Sequence, residues 1–256
     1  MNDEFYIGWQ KKAAPGIRKT VRAIVVCLLL AVLLMAISFA VAQRMIGTAV
    51  FEWGDEKHFS GIFRVWPYPH LLVMRPHAIG QPVTYSTYFL VAPLKYGLSP
   101  GAIAPFDGKF VTLQGALIYR GDQTMIEVVS TSIVVDKSKS ITLPLPQAVP
   151  LGQQTLIGEI VDSKCYFGAM NPGQLTPHRA CAIVCISGGI PPVLLVQQKA
   201  GPPIYLLLVS AAGKPVNQQV LDFVAEPVEI TGEVESQDGL LALCADPKTY
   251  RRIPDP

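Results

Sequence analysis

Charge and histidine are scarce in this sequence. Lys and Arg together number 21, Asp and Glu 19, and four histidines complete the set, for a net charge of +2. A chain so close to neutral lacks the basic surface that neutralises phosphates, so nucleic acid is not expected as a partner. Heptads, acidic tails and low-complexity tracts are absent, which removes coiled-coil and disordered-tail readings. No Walker loop, dinucleotide fingerprint or Ser/His/Asp order occurs. The thioredoxin C-x-x-C, the haem-binding C-x-x-C-H and the paired C-x-H and C-x-x-H of a Rieske centre are missing too. No residue stands out as catalytic, and a non-enzymatic role is expected.

Proline (22 residues) and glycine (21) are plentiful, scattered between short apolar runs, as in a turn-rich β protein. One run is different. Ala23 to Ala42 is 20 residues without a charge, the length that crosses a bilayer as a helix. Lys11, Lys12, Arg18, Lys19 and Arg22 precede it, and Glu52, Asp55 and Glu56 follow it. The positive-inside rule then leaves the N-terminus in the cytoplasm and sends everything after about residue 45 out, into a bacterial periplasm or its equivalent. Ala40-Val41-Ala42 also fits a signal-peptidase site, but the apolar run is longer than a signal core, which favours an uncleaved, single-pass anchor. Cys27, inside the span, reads as a small apolar packing residue.

Four cysteines remain for an oxidising compartment: Cys165, Cys181, Cys185 and Cys244. Three fall in one stretch, Asp162 to Pro192. Thr176 suits a helix N-cap there, Pro177 the first helical position, and Gly188 and Gly189 a stop. His178, Cys181 and Cys185 then stand at i, i+3 and i+7, on one stripe of the helix, with Cys165 arriving from the preceding loop. Two readings stay open. Disulfides could pair Cys165 with one helical cysteine and Cys244 with the other, since the parallel Cβ vectors of Cys181 and Cys185 are a poor match for each other. Alternatively Cys165, His178, Cys181 and Cys185 hold a metal. Cys₃His is an ordinary zinc set, copper would suit the soft thiolates and the Met170 thioether, and an iron–sulfur cluster fits less well. Asp162 would either orient His178 or cap the turn into the segment. His70 and His77, in PYPHLLVMRPH, read as surface histidines, with ligation the alternative.

Strands are expected over 61–66, 84–92, 110–119, 125–135, 155–163, 193–196, 204–209, 228–234 and 240–244, and a short amphipathic helix over 216–225. KFVTLQGALIYRGDQTMIEVV resembles EPVEITGEVESQDGLLALCAD; each reads strand, Gly bend, strand, tight turn, strand. FSGIFRVWPYPHLLV likewise echoes TLIGEIVDSKCYF. Tandem duplication and chance similarity between two β domains both remain open. Either way the expected fold is mainly β: one N-terminal transmembrane helix followed by two small OB-like β-barrels. The expected divisions are a cytoplasmic tail 1–22, the span 23–42, a connector 43–60, a first barrel 61–137, a Pro-rich linker 138–152, and a second barrel 153–256 carrying the Cys/His insertion 162–192.

The positions Asp162, Cys165, His178, Cys181, Ala182, Cys185, Gly189, Pro191 and Gly232 form D-x-x-C, H-x-x-C-A-x-x-C, G-x-P and a final V-x-V-x-G-like strand (here VEITG). Residues 155 to about 246 thereby resemble a group of small secreted or periplasmic bacterial domains. The resemblance implies a compact OB-like barrel and an exported location, and no activity. The anchor and the first barrel lie outside it. The function expected is an anchored binding or assembly module with a protein partner in the membrane or periplasm, an accessory subunit of a membrane redox complex. The alternative is a metal-binding redox or copper-delivery protein, which it resembles in ligand type.

Overall fold

The computed structural model describes residues 11–12, 14–45, 49–75, 84–139, 147–237 and 240–253. The chain divides into two units, Met1–Gly47 and Thr48–Pro256. Among its described residues the first holds one helix, α1 (Pro15–Met45), 31 residues long. Its most apolar 18 residues have a mean hydropathy of 3.1, so it is long and apolar enough to cross a membrane. Pro15 suits the first helical position, and the helix therefore starts before the uncharged run, taking in Arg18, Lys19 and Arg22. Leu28, Leu29, Val32 and Phe39 are all exposed, so the helix is apolar on every side. Cys27 lies exposed among them.

The second unit holds two closed five-stranded barrels. The first is built from β1 (Ala49–Phe51), β2 (Lys57–Arg64), β3 (His70–Met74), β4 (Tyr85–Val91), β5 (Phe110–Arg120), β6 (Gln123–Val128) and β7 (Val134–Val135). Its strands run in the order β5–β2–β3–β4–β6 and close through β5–β6, with β1 and β7 as short additions on β5 and a one-turn helix, α2 (Pro100–Ile103), between β4 and β5. Every pairing is antiparallel except β4–β6. The second barrel uses β8 (Val149–Asp162), β9 (Pro192–Val196), β10 (Ile204–Val209), β11 (Pro227–Gln237), β12 (Leu240–Cys244) and β13 (Arg251–Arg252). It repeats the order strand for strand, β11–β8–β9–β10–β12, closes through β11–β12, and again has one parallel pair, β10–β12.

Finer features repeat as well. The turn after the third strand is closed by Ala92 N–H to Tyr96 O (3.0 Å) in one barrel and by Ser210 N–H to Lys214 O (2.8 Å) in the other. Gly115 of β5 and Gly232 of β11, the two Gly bends aligned in the sequence, occupy matching places. A Cβ at Gly115 would lie 2.4 Å from Glu127 O, and one at Gly232 2.5 Å from Cys244 O. Both strands cross their hairpin partners too closely for any side chain, which is how a small barrel turns a corner.

Each barrel has its own interior, around Phe63, Leu71, Leu113 and Ile126 in the first and Ile160, Leu194, Leu206 and Ile230 in the second. A third cluster joins them. Phe89, Ile118 and Met125 of the first barrel pack with Val161, Phe167 and Val193 of the second. Tyr68 crosses the same boundary: its hydroxyl donates to Leu208 O (3.3 Å) and accepts from Val216 N–H (3.1 Å). Apolar residues on both faces of these strands make the two barrels one packed body rather than beads on a linker.

Several expectations change. The stretch expected as connector over 43–60 contains β1 and the start of β2, whose residues 57–60 alternate half-buried and exposed. Strand β3 was not expected between its flanking prolines. The expected strand 125–135 breaks at Val129, where Ser132 Oγ donates to Val129 O (2.6 Å) and forms a turn. The expected linker 138–152 is shortened because β8 begins at Val149. Pro150 is tolerated there because this end of β8 pairs on one side only, with β11; residues 140–146 of that linker lie outside the described residues, as do Asp238 and Gly239 of the last hairpin.

The helix expected over 216–225 is a series of turns with a single 3-10 turn, Leu221–Phe223. Val216, Val220 and Val224 are buried at the spacing that suggested a helix. The backbone is held from outside, however: Asn217 Nδ2 donates to Ile186 O and Ile190 O (both 2.8 Å), and Arg252 donates to Asp222 O (2.8 Å).

Gly115→Ala should cost about 1–3 kcal/mol, because the strand must move to admit the methyl group. Gly101→Ala, where nothing lies within 4 Å of the new Cβ, should be nearly neutral. Thermal unfolding of the detergent-solubilised chain measures both; equal melting points would refute the corner argument.

Candidate metal centre

The Cys/His segment is the β8–β9 connection. Its ends are pinned where Asp162 pairs with Pro192 and where Ser163 Oγ donates to Pro191 O (2.8 Å). The equivalent connection in the first barrel, β2–β3, spans only residues 65–69. From β8 the chain enters a tight turn over Cys165–Ala169, closed by Met170 N–H to Cys165 O (3.1 Å). After Thr176–His178, a single 3-10 turn, comes helix α3 (Arg179–Ser187). The helical rise thus starts as 3-10, with Thr176 inside that turn and Leu175 in the capping place. Gly188 caps α3, and Gly189 continues at a positive φ of 102°.

Asp162 is the centre of this segment and has no exposed surface. Its Oδ1 accepts the Cys165 N–H at 2.7 Å, capping the turn, and its Oδ2 lies 2.9 Å from His178 Nε2. The two roles weighed for it in the sequence are therefore both filled by one carboxylate. His178 is only 4% exposed, and with Nε2 committed to Asp162 its other ring nitrogen, Nδ1, remains for a ligand.

Cys165 Sγ sits 4.0 Å from Cys181 Sγ and 3.9 Å from Cys185 Sγ. Cys165 and Cys185 are buried and Cys181 is half-buried. Two overlapping groups result, each compact enough to surround an ion: Cys165, His178 and Cys181, and Asp162, Cys165 and Cys185. All four cysteines of the second unit are free thiols. A tetrahedral ion with metal–sulfur bonds of about 2.3 Å holds its sulfurs about 3.8 Å apart. The observed separations fit that spacing and are nearly twice a disulfide bond length of about 2.05 Å. The hydrogen bond between Cys165 and Cys185 splits their acidities: Cys165 is held well above the usual thiol range, with burial adding to the effect, and Cys185 below it.

Two lysines absent from the sequence reading complete the surroundings. Lys95, on the turn after β4 in the first barrel, places Nζ 2.7 Å from Cys181 Sγ. That hydrogen bond raises the ammonium above its ordinary value. Lys164 is buried beside Cys165. It donates to Ala92 O (2.9 Å) and Leu94 O (2.7 Å) and pairs with Glu127 Oε2 (2.5 Å). Lys164 lies within the D-x-x-C signature and was legible as a charge next to a ligand. No local signal marks Lys95, which is 86 residues from Cys181.

Met170, whose N–H closes the Cys165 turn, is 47% exposed. Cys244, at the end of β12, faces Glu235 and Glu233 rather than the other thiols, so pairing it with Cys181 or Cys185 is not the arrangement seen. His70 is not a surface residue: it is 1% exposed within β3, with Nδ1 2.8 Å from Tyr68 O, because β3 is an interior barrel strand. His77 lies outside the described residues. Comparison of the chain with protein-family models, with curated proteins and with solved structures finds no match.

Removing the Lys164 ammonium should leave the Glu127 carboxylate buried and unpaired. Lys164→Met is therefore expected to cost about 3–5 kcal/mol, and adding Glu127→Gln should recover part of the loss. Melting of the two variants decides it; no recovery in the double variant would mean that the bonds to Ala92 and Leu94, not the ion pair, carry the effect. Cys244 gives a pH test. Burial, helped by Glu235, pushes its thiol up to about 11. Its alkylation by iodoacetamide, read on the Cys244 peptide, should rise through pH 11 in the folded chain and near pH ~8.5 in urea. Equal rates in both states at pH 9 would contradict the shift.

Proposed function

We propose that this chain is a single-pass, membrane-anchored module of the bacterial periplasm. Its second barrel holds one soft metal ion, zinc or copper, and the protein acts as a non-enzymatic accessory subunit of a membrane redox complex. The observation that carries the metal reading is the position of Cys165, with its sulfur at metal-site spacing from those of both Cys181 and Cys185, beside a histidine already oriented by a buried carboxylate. Cys165, Cys181 and His178 form the core ligand set and Cys185 is the remaining sulfur donor.

Several features support the rest. Basic residues before α1 and acidic ones after it favour a cytoplasmic N-terminus. The strand order, three antiparallel strands, a parallel return and closure of the fourth strand on the first, supports an OB-type identity for both barrels. In OB-type barrels the loop between the first two strands is a binding loop, and here that loop is the Cys/His segment. The D-x-x-C and H-x-x-C-A-x-x-C pattern supports kinship with exported bacterial domains. The exposure of Cys181 favours a second reading, copper delivery, because an ion there is within reach of another protein's ligands.

The test is metal content and thiol accessibility of the full-length chain, purified in detergent from an oxidising compartment. About one equivalent of zinc or copper is expected, with Cys165, Cys181 and Cys185 protected from alkylation until a chelator is added. Cys181→Ser, at a half-buried position, should lose the metal and keep the fold, whereas Cys244→Ser should keep both. A metal-free chain with Cys165 in a disulfide would overturn the proposal and leave a disulfide-fastened assembly module.

A further inference from the structure

The first barrel reaches into the site through a turn that the site itself holds in place. Residues 92–97 follow β4, and Lys95 lies in the middle of them. Lys164, next to Cys165, donates to Ala92 O and Leu94 O on one side of Lys95. On the other side Gly97 N–H donates to Gly188 O at 2.9 Å, at the end of α3. The contact there is backbone on backbone: a Cβ at Gly97 would lie 2.4 Å from Gly189 O, and one at Gly188 would lie 2.1 Å from Lys95 O. Leu94 adopts a positive φ of 62°, a conformation unfavourable for leucine that persists only where the surroundings impose it. The matching turn of the second barrel, 210–214, has the same closing bond and carries no such lysine at its centre. The turn is thus clamped by Lys164, next to the ligand Cys165, and by Gly188, three residues after Cys185, and what it presents to the site is one ammonium.

The charge of the site gives that ammonium a purpose. Three thiolates around a divalent ion leave a net charge of −1, and the Asp162 carboxylate beside them adds to it. An uncompensated charge in a buried site is costly, and an opposite charge in contact offsets that cost. We propose that Lys95 of the first barrel is a positioning and charge-compensating residue of the metal centre, donating to the coordinated Cys181 sulfur, so that the site in the second barrel is complete only when the first barrel is docked on it. This inference rests on the metal reading above. An N–H···S bond to a metal-bound thiolate draws electron density from sulfur; the resulting loss of donor strength is outweighed by the offset of the buried negative charge and by the fixed direction of the sulfur.

The experiment uses the full-length chain in detergent, loaded with zinc and, in parallel, with cobalt(II) as a spectroscopic stand-in. Lys95→Met should weaken zinc binding about 10–100-fold in competition with a chelator, the range for residues that support a metal ligand. Lys95→Arg, which keeps the charge and a donor, should restore affinity to within a few-fold of the parent. In the cobalt-loaded protein, Lys95→Met should shift the sulfur-to-cobalt charge-transfer absorption to lower energy, because the sulfur loses its hydrogen bond. A residue that merely holds the turn would not move that band, and its loss would not be rescued by arginine. Unchanged affinity and an unchanged band in Lys95→Met would overturn the inference with the metal reading intact. A parent chain that binds neither ion would instead remove the metal reading.

Discussion

The buried carboxylate of Asp162 is the constraint on which the rest of the site depends. It sits at the last position of β8, where the barrel ends and the insertion begins, with no solvent to satisfy it. It must find donors inside the fold, and it finds two: the Cys165 N–H and the His178 ring. The first sets the turn that aims Cys165 toward α3. The second draws the start of α3 back onto the barrel and so brings the sulfurs of Cys181 and Cys185, one and two turns on, each to about 4 Å from that of Cys165. A carboxylate buried with both oxygens occupied fixes direction more firmly than an apolar contact could, because each lost bond would leave a charge unpaired.

The repeated barrel topology supplies the second layer of organisation. Two barrels of one topology share a packed boundary, and each contributes what the other lacks. The second has the long β8–β9 connection with its thiols, while the first keeps the corresponding connection short and uses it, through Tyr68, to hold on to its neighbour. Phe167, immediately after Tyr166 in the insertion, is wholly buried against Phe89 and Tyr205. The insertion is therefore both the candidate site and part of the joint between barrels, so whatever binds there is coupled to the way the barrels meet.

The sequence by itself determined the apolar helix, the β class and most strand positions, because hydrophobic period, β-branched residues and Gly/Pro punctuation are local signals. It also determined the Cys/His stripe, because His178, Cys181 and Cys185 are neighbours along one short helical rise. It misread what depends on distant partners. The 216–225 segment has helical spacing yet is held as turns by Asn217 and Arg252, which bond across the fold. His70 looked like a surface residue because nothing near it says that β3 is interior. Only the tertiary structure decided that the two barrels are one body, that Cys244 faces glutamates rather than thiols, and that Lys95 arrives at Cys181 from a different barrel. Chain neighbours are fixed by backbone geometry, and so can be read from residue spacing. Contacts such as Lys95 with Cys181 exist only because closing two barrels brings remote segments together, and no short pattern in the chain carries that information.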